Sequence, residues 1–419
     1  MGSPKVDKLL LKIIPSADAQ VLALKAGELD MIELQPGPVV RELMAEPNIK
    51  VMTAPSTYIY YIDFNLRRYP MNLTEFRVAV AHAINKEQIL NILLLGMGKV
   101  GDSVMVPGLP LWYNPNVTKY EYNPEKAKEI LDRIGLRDID GDGYREYPNG
   151  SKLVLKMPTI NVGIWPRLSE LVAKMLEEVG LKVEVIPAEA GTVIDLLLNK
   201  WDFDINVLGW RLYFDPDPYL YESFHSSRIR PGGLNWVGYS NPEVDELLEK
   251  QRKAINIEER RKIIFKIQEI LARDLPWIPL VYPDLIYAVR IDTFRGWVAV
   301  PRYGLRNVYS WINLEEKTPL RAVAYFPWYK YPLISISLGL CFLIALTYSS
   351  GVHRIILPIF FLFSSSIMGI ASSASVRFSY PSSRSIVFPV DEYGRSAFSS
   401  PLTLSSAISG YLDSLMAFL

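Results

Sequence analysis

Short apolar stretches and amphipathic stretches alternate along most of this chain. Residues 9–14, 29–32 and 58–65 are apolar runs or alternations of the kind that form strands. Apolar residues spaced three and four apart predict helices over 17–26 and 75–95, each with one buried face. A chain that begins with strand, helix, strand and helix is typical of a mixed α/β fold.

The middle of the chain repeats this alternation over five consecutive segments. In order, they are a strand, a helix, a strand, a helix and a strand, at 153–157, 166–179, 182–186, 188–200 and 202–208. This order predicts a parallel α/β unit with right-handed crossovers. Open α/β sheets bind ligands just beyond the carboxyl ends of their strands. The loop that follows residue 208 is therefore the first candidate for a binding site.

The last part of the folded region predicts two helices and two extended segments. The helices span 242–253 and 257–273, and the first begins at Asn241-Pro242, a pair typical of a helix start. The extended segments span 277–282 and 285–290.

The loop after residue 208 combines prolines, carboxylates and aromatic rings. It contains Asp215-Pro216-Asp217-Pro218, and each proline holds the residue before it in an extended conformation. Trp210 and Tyr213 lie in the same segment, and Asn65 ends the predicted strand 58–65. Aromatic faces beside a few fixed polar groups are typical of a small-ligand wall. The alternative is a loop attached to the core by its aromatic residues, with Asn65 in ordinary sheet packing.

Charge and composition restrict the chemistry. Lys plus Arg and Asp plus Glu both number 45 among 419 residues, so no excess of positive charge indicates a nucleic-acid surface. The single cysteine, Cys341, excludes an intrachain disulfide and a thiolate metal site. Three histidines that are far apart argue against zinc and against a histidine-dependent triad.

One segment has the spacing of a calcium loop. Asp138, Asp140 and Asp142 occupy alternate positions, with Gly143 at the sixth. The twelfth position is Asn149, where a calcium loop carries a bidentate glutamate. Two interpretations stay open, a weak Ca²⁺ site and an ordinary Asp/Gly turn. No other cofactor is expected.

The composition changes abruptly near the carboxyl end. After Lys330 the chain contains no lysine and is rich in serine. Two apolar runs, 332–348 and 355–371, are each at the short limit for crossing a bilayer. They predict either a membrane anchor or an out-of-frame or fused sequence without selected structure. At the other end, residues 1–15 lack the pattern of a signal peptide.

Six short motifs resemble one family when they are taken in order over residues 5–312. They are ALKAGELD at 23–30, YIDFN at 61–65, FRVAVAHAINK at 76–86, YNPEKAK at 122–128, DFD with GW at 202–210, and GYSNPEVD at 238–245. In this order they are similar to the extracytoplasmic solute-binding proteins of peptide/nickel-type ABC importers, the dipeptide- and oligopeptide-binding class.

The resemblance implies a two-lobe, periplasmic-binding-protein-like α/β fold of type II, the peptide-binding class. Since such proteins begin well upstream of the first motif, it also implies that much of the first lobe is missing. Residues 1–55 would be a remnant of lobe I, 56–285 would form lobe II, and 286–315 would return to lobe I. Residues 316–419 would be a hydrophobic, serine-rich tail outside the family pattern.

The resemblance further implies a transport protein that is not an enzyme. It would capture an oligosaccharide or oligopeptide between its lobes and deliver it to the permease subunits of an importer. Its location would be extracytoplasmic, at the cell surface or in the periplasm, with membrane association through the tail. The alternatives are a truncated, non-functional fragment of such a protein and a glycoside hydrolase that uses Asp215 and Asp217.

The resemblance also bears on the ligand. In peptide-binding members an aspartate a few residues after the Gly-Trp pair holds the amino terminus of the peptide, and its equivalent here is Tyr213. Asp215 or Asp217 would have to replace it. Trp210, Tyr213, Trp236 and Trp165 would suit the apolar faces of a sugar. We therefore expect an oligosaccharide slightly more than a peptide, with nickel still open.

Overall fold

The structure, a computed structural model, describes residues 4–317 and the backbone of 385–390. The strands are β1 (Lys8–Ile13), β2 (Met31–Leu34), β3 (Ile49–Pro55), β4 (Tyr58–Phe64), β5 (Gly98–Val100), β6 (Val154–Ile160), β7 (Lys182–Ala188), β8 (Ile205–Arg211), β9 (Trp277–Arg290), β10 (Phe294–Arg295), β11 (Glu315–Glu316) and β12 (Ser385–Val390). The helices are α1 (Ala17–Ala26), α2 (Pro38–Met44), α3 (Thr74–Ala83), α4 (Lys86–Leu94), α5 (Pro124–Arg133), α6 (Trp165–Glu177), α7 (Ala190–Asp195), α8 (Asp217–Phe224), α9 (Pro242–Lys253), α10 (Ile257–Asp274) and α11 (Val308–Asn313).

Strand β9 organises the largest sheet. The two predicted extended segments, 277–282 and 285–290, form this one strand of 14 residues. Its first half pairs with β4 and β5, and its second half pairs with β2 and β3, all antiparallel. The sheet continues from β4 to β8. One strand therefore carries the backbone hydrogen bonds of four others.

The two halves of β9 lie in different hydrophobic cores. Residues 277–282 belong to a large core that draws on residues 59–282. In the second half, Ile286 and Ala288 face a small core with α1 and α2, while Leu285 and Tyr287 face another with residues 294–314. Alternate residues of a strand point to opposite faces, so this half separates two small cores.

Aromatic side chains dominate the large core. Trp277, which is 1% exposed, stacks on Tyr61 with ring centroids 3.9 Å apart and planes at 3°. Phe224 and Tyr219 of α8 approach the same indole edge-on, at 4.9 and 5.9 Å. Trp236 lies 6.1 Å away. Large apolar surfaces that interdigitate in this way supply most of the stabilisation of a core.

Locally encoded helices are confirmed. Helix α1 begins where the Ser16 hydroxyl accepts from Ala19 N and ends at Gly27, whose φ of 78° favours glycine. Helices α9 and α10 also follow the predicted bounds closely. The predicted helix 75–95 is wrong in one respect, because it is interrupted between α3 and α4. Asn85 caps α4 by accepting from Gln88 N at 2.9 Å, and Ile84 has extended dihedral angles.

The predicted parallel unit is only partly correct. β6 and β7 do pair in parallel across α6. However, β8 is antiparallel to β4 in the main sheet, with Ile62 opposite Val207. Asp204, the residue before β8, donates its backbone N–H to the Lys156 carbonyl of β6 at 3.0 Å. Every residue from 205 to 210 is buried, so both faces of this strand are covered, one of them by α6, while the main sheet supplies its hydrogen-bond partner β4.

The described parts of the tail are short. Strand β12 pairs in parallel with β1, from Lys8 opposite Ser385 to Ile13 opposite Val390. The apolar runs 332–348 and 355–371, and with them the predicted membrane anchor, lie outside the described residues. Within residues 4–317, no helix combines the length and the apolar character needed to cross a bilayer.

The aromatic core makes a direct prediction about stability. We expect Trp277→Ala to lower the free energy of unfolding by about 3–5 kcal/mol, because it opens a cavity among four aromatic rings. Ile255→Ala, at a fully exposed position, is the control and should cost less than about 0.5 kcal/mol. Urea unfolding of both variants measures the difference, and similar values for the two would contradict this account of the core.

Candidate functional site

One surface lies where the large core meets the smaller ones. Here β8 ends beside the start of β4, with Arg211 opposite Tyr58. The loop after β8 meets the segment 302–303, where Arg302 Nη1 donates to the Leu212 carbonyl at 3.0 Å. The junction surface consists of the five exposed or half-buried residues at this place: Tyr58, Arg211, Phe214, Arg302 and Tyr303.

Two arginines define the junction surface. The Arg211 guanidinium lies 5.3 Å from the centre of the Tyr58 ring and donates to the Arg302 carbonyl at 3.4 Å. The Arg302 guanidinium lies 4.1 Å from the centre of the Phe214 ring. Within residues 4–317, neither arginine forms an ion pair with a carboxylate. Their positive charges are therefore not neutralised by the described protein.

Arg302 is held in a costly position. Burial lowers the pKa of Arg302, and the positive charge of Arg211 lowers it further. The guanidinium nevertheless stays protonated at neutral pH, because its ordinary pKa is so high. Its Nε is buried without a hydrogen-bond partner in the described part of the chain. Its backbone φ of 69° also lies in the left-handed region that side chains disfavour.

A third arginine extends the positive charge. Arg306 forms an ion pair with Glu33 of β2, and the Tyr287 hydroxyl donates to the same carboxylate at 3.1 Å. Three positive charges, on Arg211, Arg302 and Arg306, therefore lie near one negative charge, that of Glu33. The local charge is positive even though the whole chain is neutral.

Two exposed aromatic rings adjoin the arginines. Phe214 is 48% exposed and Tyr303 is 40% exposed, and their ring centroids lie 5.4 Å apart. Rings of this kind offer an apolar face beside charged donors. The junction surface can thus bind a planar or apolar group next to a negatively charged one.

The predicted tryptophans lie on opposite faces of the β4–β8 pair. Trp210 and Trp236 share one face, with ring centroids 6.3 Å apart, beneath the helices of the large core. Trp165 lies on the other face and meets the edge of Tyr60 at 5.2 Å. All three indoles are less than 9% exposed. The structure does not bring them together into one open site.

The predicted polar residues mostly bind other parts of the chain. The Asn65 amide donates to the Trp201 and Phe203 carbonyls at 2.9 and 3.1 Å, which fixes the entry to β8. Asp215 receives two bonds from Arg260, at 2.6 and 2.7 Å.

Asp217 is the first residue of α8, so the extended conformation predicted for it is wrong. Arg252 holds its carboxylate in a similar way, at 2.7 and 3.1 Å. Tyr213 is half-buried near Arg302. A ligand role for these residues stays a prediction.

A buried carboxyl group was missed by the sequence analysis. Asp63 lies within β4 with no exposed surface, and Trp236 donates its indole N–H to Asp63 Oδ2 at 2.8 Å. Burial raises the pKa of Asp63 to about 7, while the hydrogen bond from Trp236 acts in the opposite direction. The only signal in the sequence was a charged residue within an alternating strand.

The acidic loop contains its own cation. The Lys152 ammonium lies 2.6 Å from Asp140 Oδ2, 2.5 Å from Asp142 Oδ2 and 2.8 Å from Glu146 Oε1. Those contacts raise the pKa of Lys152, the one to Asp140 most strongly. Asp138 accepts instead from two backbone amides of the turn, Gly141 N and Gly143 N. Glu146 joins the three predicted aspartates in one oxygen-rich cluster, and calcium binding there stays a prediction.

Asp63 makes the stability depend on pH. The unfolded chain loses this proton near pH 4, whereas the folded chain keeps it up to about pH 7. The contribution of Asp63 to the free energy of unfolding therefore falls as pH rises through that window, by at most about 1.4 kcal/mol per pH unit. Urea unfolding of the wild type and of Asp63→Asn at several pH values should show their difference declining from acid to neutral pH. A difference independent of pH would contradict the buried neutral carboxyl.

Lys152 makes a prediction about divalent cations. We expect the wild-type Tm to be the same in calcium and in chelator, because the Lys152 ammonium already lies among three of the four carboxylates, where a calcium ion would have to bind. Lys152→Met should lower the Tm, through repulsion among the exposed carboxylates, and should make it rise with calcium. Lys174→Met, on the exposed side of α6, is the control. A wild-type Tm that falls in chelator would instead favour a resident ion.

Comparison with known proteins identifies the family. The sequence profile of the bacterial extracellular solute-binding proteins, family 5 (middle region), matches residues 1–231. The chain is 31% identical over 319 residues to the oligopeptide-binding protein AppA of Bacillus subtilis, which covers 74% of this chain and 56% of AppA. It thus spans little more than half the length of that relative.

Solved structures agree with this assignment. AppA of Bacillus subtilis in complex with a nonapeptide superposes with a TM-score of 0.60 at 28% identity, covering 73% of this chain and 59% of AppA. A periplasmic oligopeptide-binding protein of Thermotoga maritima bound to mannohexaose gives 0.59 at 26% identity, covering 72% of this chain and 61% of that one. The resemblance found in the six motifs is confirmed, and the chain belongs to family 5 of the bacterial extracellular solute-binding proteins.

Proposed function

We propose that this chain is the solute-binding component of an ABC importer. It captures an oligopeptide or an oligosaccharide and delivers it to the permease subunits, outside the cytoplasm. The observation that carries this proposal is the family match over residues 1–231, a stretch that contains most of the sheet beside the junction surface. The nonapeptide and mannohexaose bound by two relatives support both classes of ligand.

The two halves of β9 support a division into lobes. We assign 56–285 to one lobe, and 1–55 with 286–315 to the other, because β9 leaves the large core after Tyr282 and enters the smaller cores from Leu285 onward. Lobes of this kind bind by closing around a ligand, and the ligand then lies between two largely rigid walls. The junction surface occupies that boundary. Membrane association through residues 316–419 stays a prediction.

The contacts of the two aspartates disfavour the hydrolase alternative. A carboxylate-dependent glycosidase places its two carboxyl groups on either side of the scissile bond. Asp215 and Asp217 instead lie two residues apart, just before and at the start of α8, and each is engaged by an arginine of a neighbouring helix. The family consists of solute-binding proteins, which also supports a role without catalysis.

Ligand binding to the full chain tests the proposal. We expect the Tm to rise with at least one of two probes, a mixture of tripeptides or a series of manno- and cello-oligosaccharides, since a ligand stabilises the state that binds it. Phe214→Ala should weaken binding about fivefold to tenfold, as expected for the loss of one aromatic contact. Tyr309→Ala, an exposed aromatic on α11, is the matched control.

Two results would contradict the proposal. One is a Tm unchanged by every probe. The other is recovery of shortened oligosaccharides or peptides after incubation, because a binding protein returns its ligand intact.

A further inference from the structure

We infer that the junction surface selects solutes that carry a carboxylate, which Arg211 and Arg302 bind together. This inference rests on the proposed function and names the chemistry of its ligand. The carboxylate can come from the end or side chain of a peptide, or from a uronic acid in an oligosaccharide. All of these present the same planar pair of oxygens to a guanidinium.

The first argument is that most other half-buried arginines use a carboxylate. Arg68, Arg260 and Arg290 each contact an aspartate within 3.0 Å. Arg77 lacks a carboxylate, but its donors reach the carbonyls of Met71 and Asp274 and the Thr74 hydroxyl. Elsewhere in the described chain, therefore, these arginines have carboxylate, carbonyl or hydroxyl acceptors for their donors.

Arg302 differs from these arginines. Its Nη1 donates to the Leu212 carbonyl, while its Nε–H has no acceptor within residues 4–317. The one strong cationic neighbour, Arg211, makes its environment less favourable. A buried donor without an acceptor costs about 1–3 kcal/mol, more when charged. An incoming carboxylate would supply the opposite charge that both guanidinium groups lack and would relieve the repulsion between them.

The position of Arg302 is built rather than incidental. Its backbone N–H donates to the Pro55 carbonyl at 2.8 Å, and its φ of 69° is maintained against the usual preference of a side chain. Arg302 lies within a turn that two backbone hydrogen bonds close, from Val300 N to the Gly304 carbonyl and from Gly304 N to the Val300 carbonyl. These bonds hold the backbone of Arg302 beside the end of β3, and the Nη1 bond to the Leu212 carbonyl holds its guanidinium at the loop after β8.

The neighbouring rings define what accompanies the carboxylate. Phe214 and Tyr303 are exposed beside Arg302 and form a short apolar wall. A ligand whose carboxylate reaches the arginines can therefore lay an apolar side chain or a sugar face on this wall. An ammonium group at the same place would be repelled by Arg211, Arg302 and the partly compensated Arg306.

Matched ligand pairs test the inference with the full chain. Tripeptide mixtures prepared as free acids are compared with the same mixtures as carboxyl-terminal amides. Oligogalacturonates are compared with their methyl esters. Titration calorimetry should show the charged member of at least one pair binding more tightly, on the order of tenfold to a hundredfold, as expected for charge-assisted hydrogen bonds. The peptide and sugar arms identify the source of the carboxylate.

Variants locate the effect. Arg211→Gln and Arg302→Gln should each remove most of the difference within a pair, and Arg211→Lys should restore part of it because the charge is kept. Arg295→Gln is the control, since Arg295 is an exposed arginine that pairs with Glu315. A thermal melt of every variant checks that it is folded. If Arg302→Gln does not fold, Arg211→Gln alone tests the inference.

The outcomes separate the two proposals. If charged and neutral members bind equally, the inference is wrong while solute binding stands. If Arg295→Gln weakens the charged ligands as much as the junction variants do, the preference arises from the overall field, and the inference is again wrong. If none of the mixtures binds, the proposed function fails and the inference fails with it.

Discussion

An ionised group that leaves water needs an opposite charge or well-placed hydrogen bonds, and this constraint organises the polar residues of the protein. The pair of Asp215 and Arg260 meets it by charge. Asp63 meets it differently, since burial raises its pKa to about 7 and favours the neutral form. Within the described chain, Arg211 and Arg302 have no ion pair with a carboxylate, and as arginines they stay charged. A departure of this kind at a surface between two cores is where a binding function is expected.

Helix ends could be predicted from the sequence because their signals are local. Ser16 and Gly27 delimit α1, and asparagine caps delimit α9 and α10, all within a few residues of the ends they fix. The pairing of β8 with β4 could not be predicted in this way. It joins segments far apart in sequence, and its register depends on which side chains each strand buries on its two faces. The helix break at Asn85 did have a local signal, which a continuous apolar face concealed.

The candidate site shows the same limit. A tryptophan has the same sequence signature in a core and in a ligand wall, so Trp165, Trp210 and Trp236 could not be assigned before their burial was known. The prolines around Asp215 and Asp217 predicted an extended loop, but Asp217 begins α8, and the arginines that bind both aspartates come from helices later in the chain. Arg302 lies in an irregular segment without a recognisable motif. Only the fold places it beside Arg211.

Strand β9 has a consequence for synthesis of the protein. Its partners β2, β3, β4 and β5 all precede it in the chain, so they leave the ribosome before the strand that joins them exists. Until residue 290 has emerged, the nascent chain carries unpaired strand edges and apolar faces whose partners are still to be translated. Such edges promote association between chains, and contacts of long sequence separation form slowly. We therefore expect this chain to be more prone to association late in translation than a chain of similar length with local strand pairing.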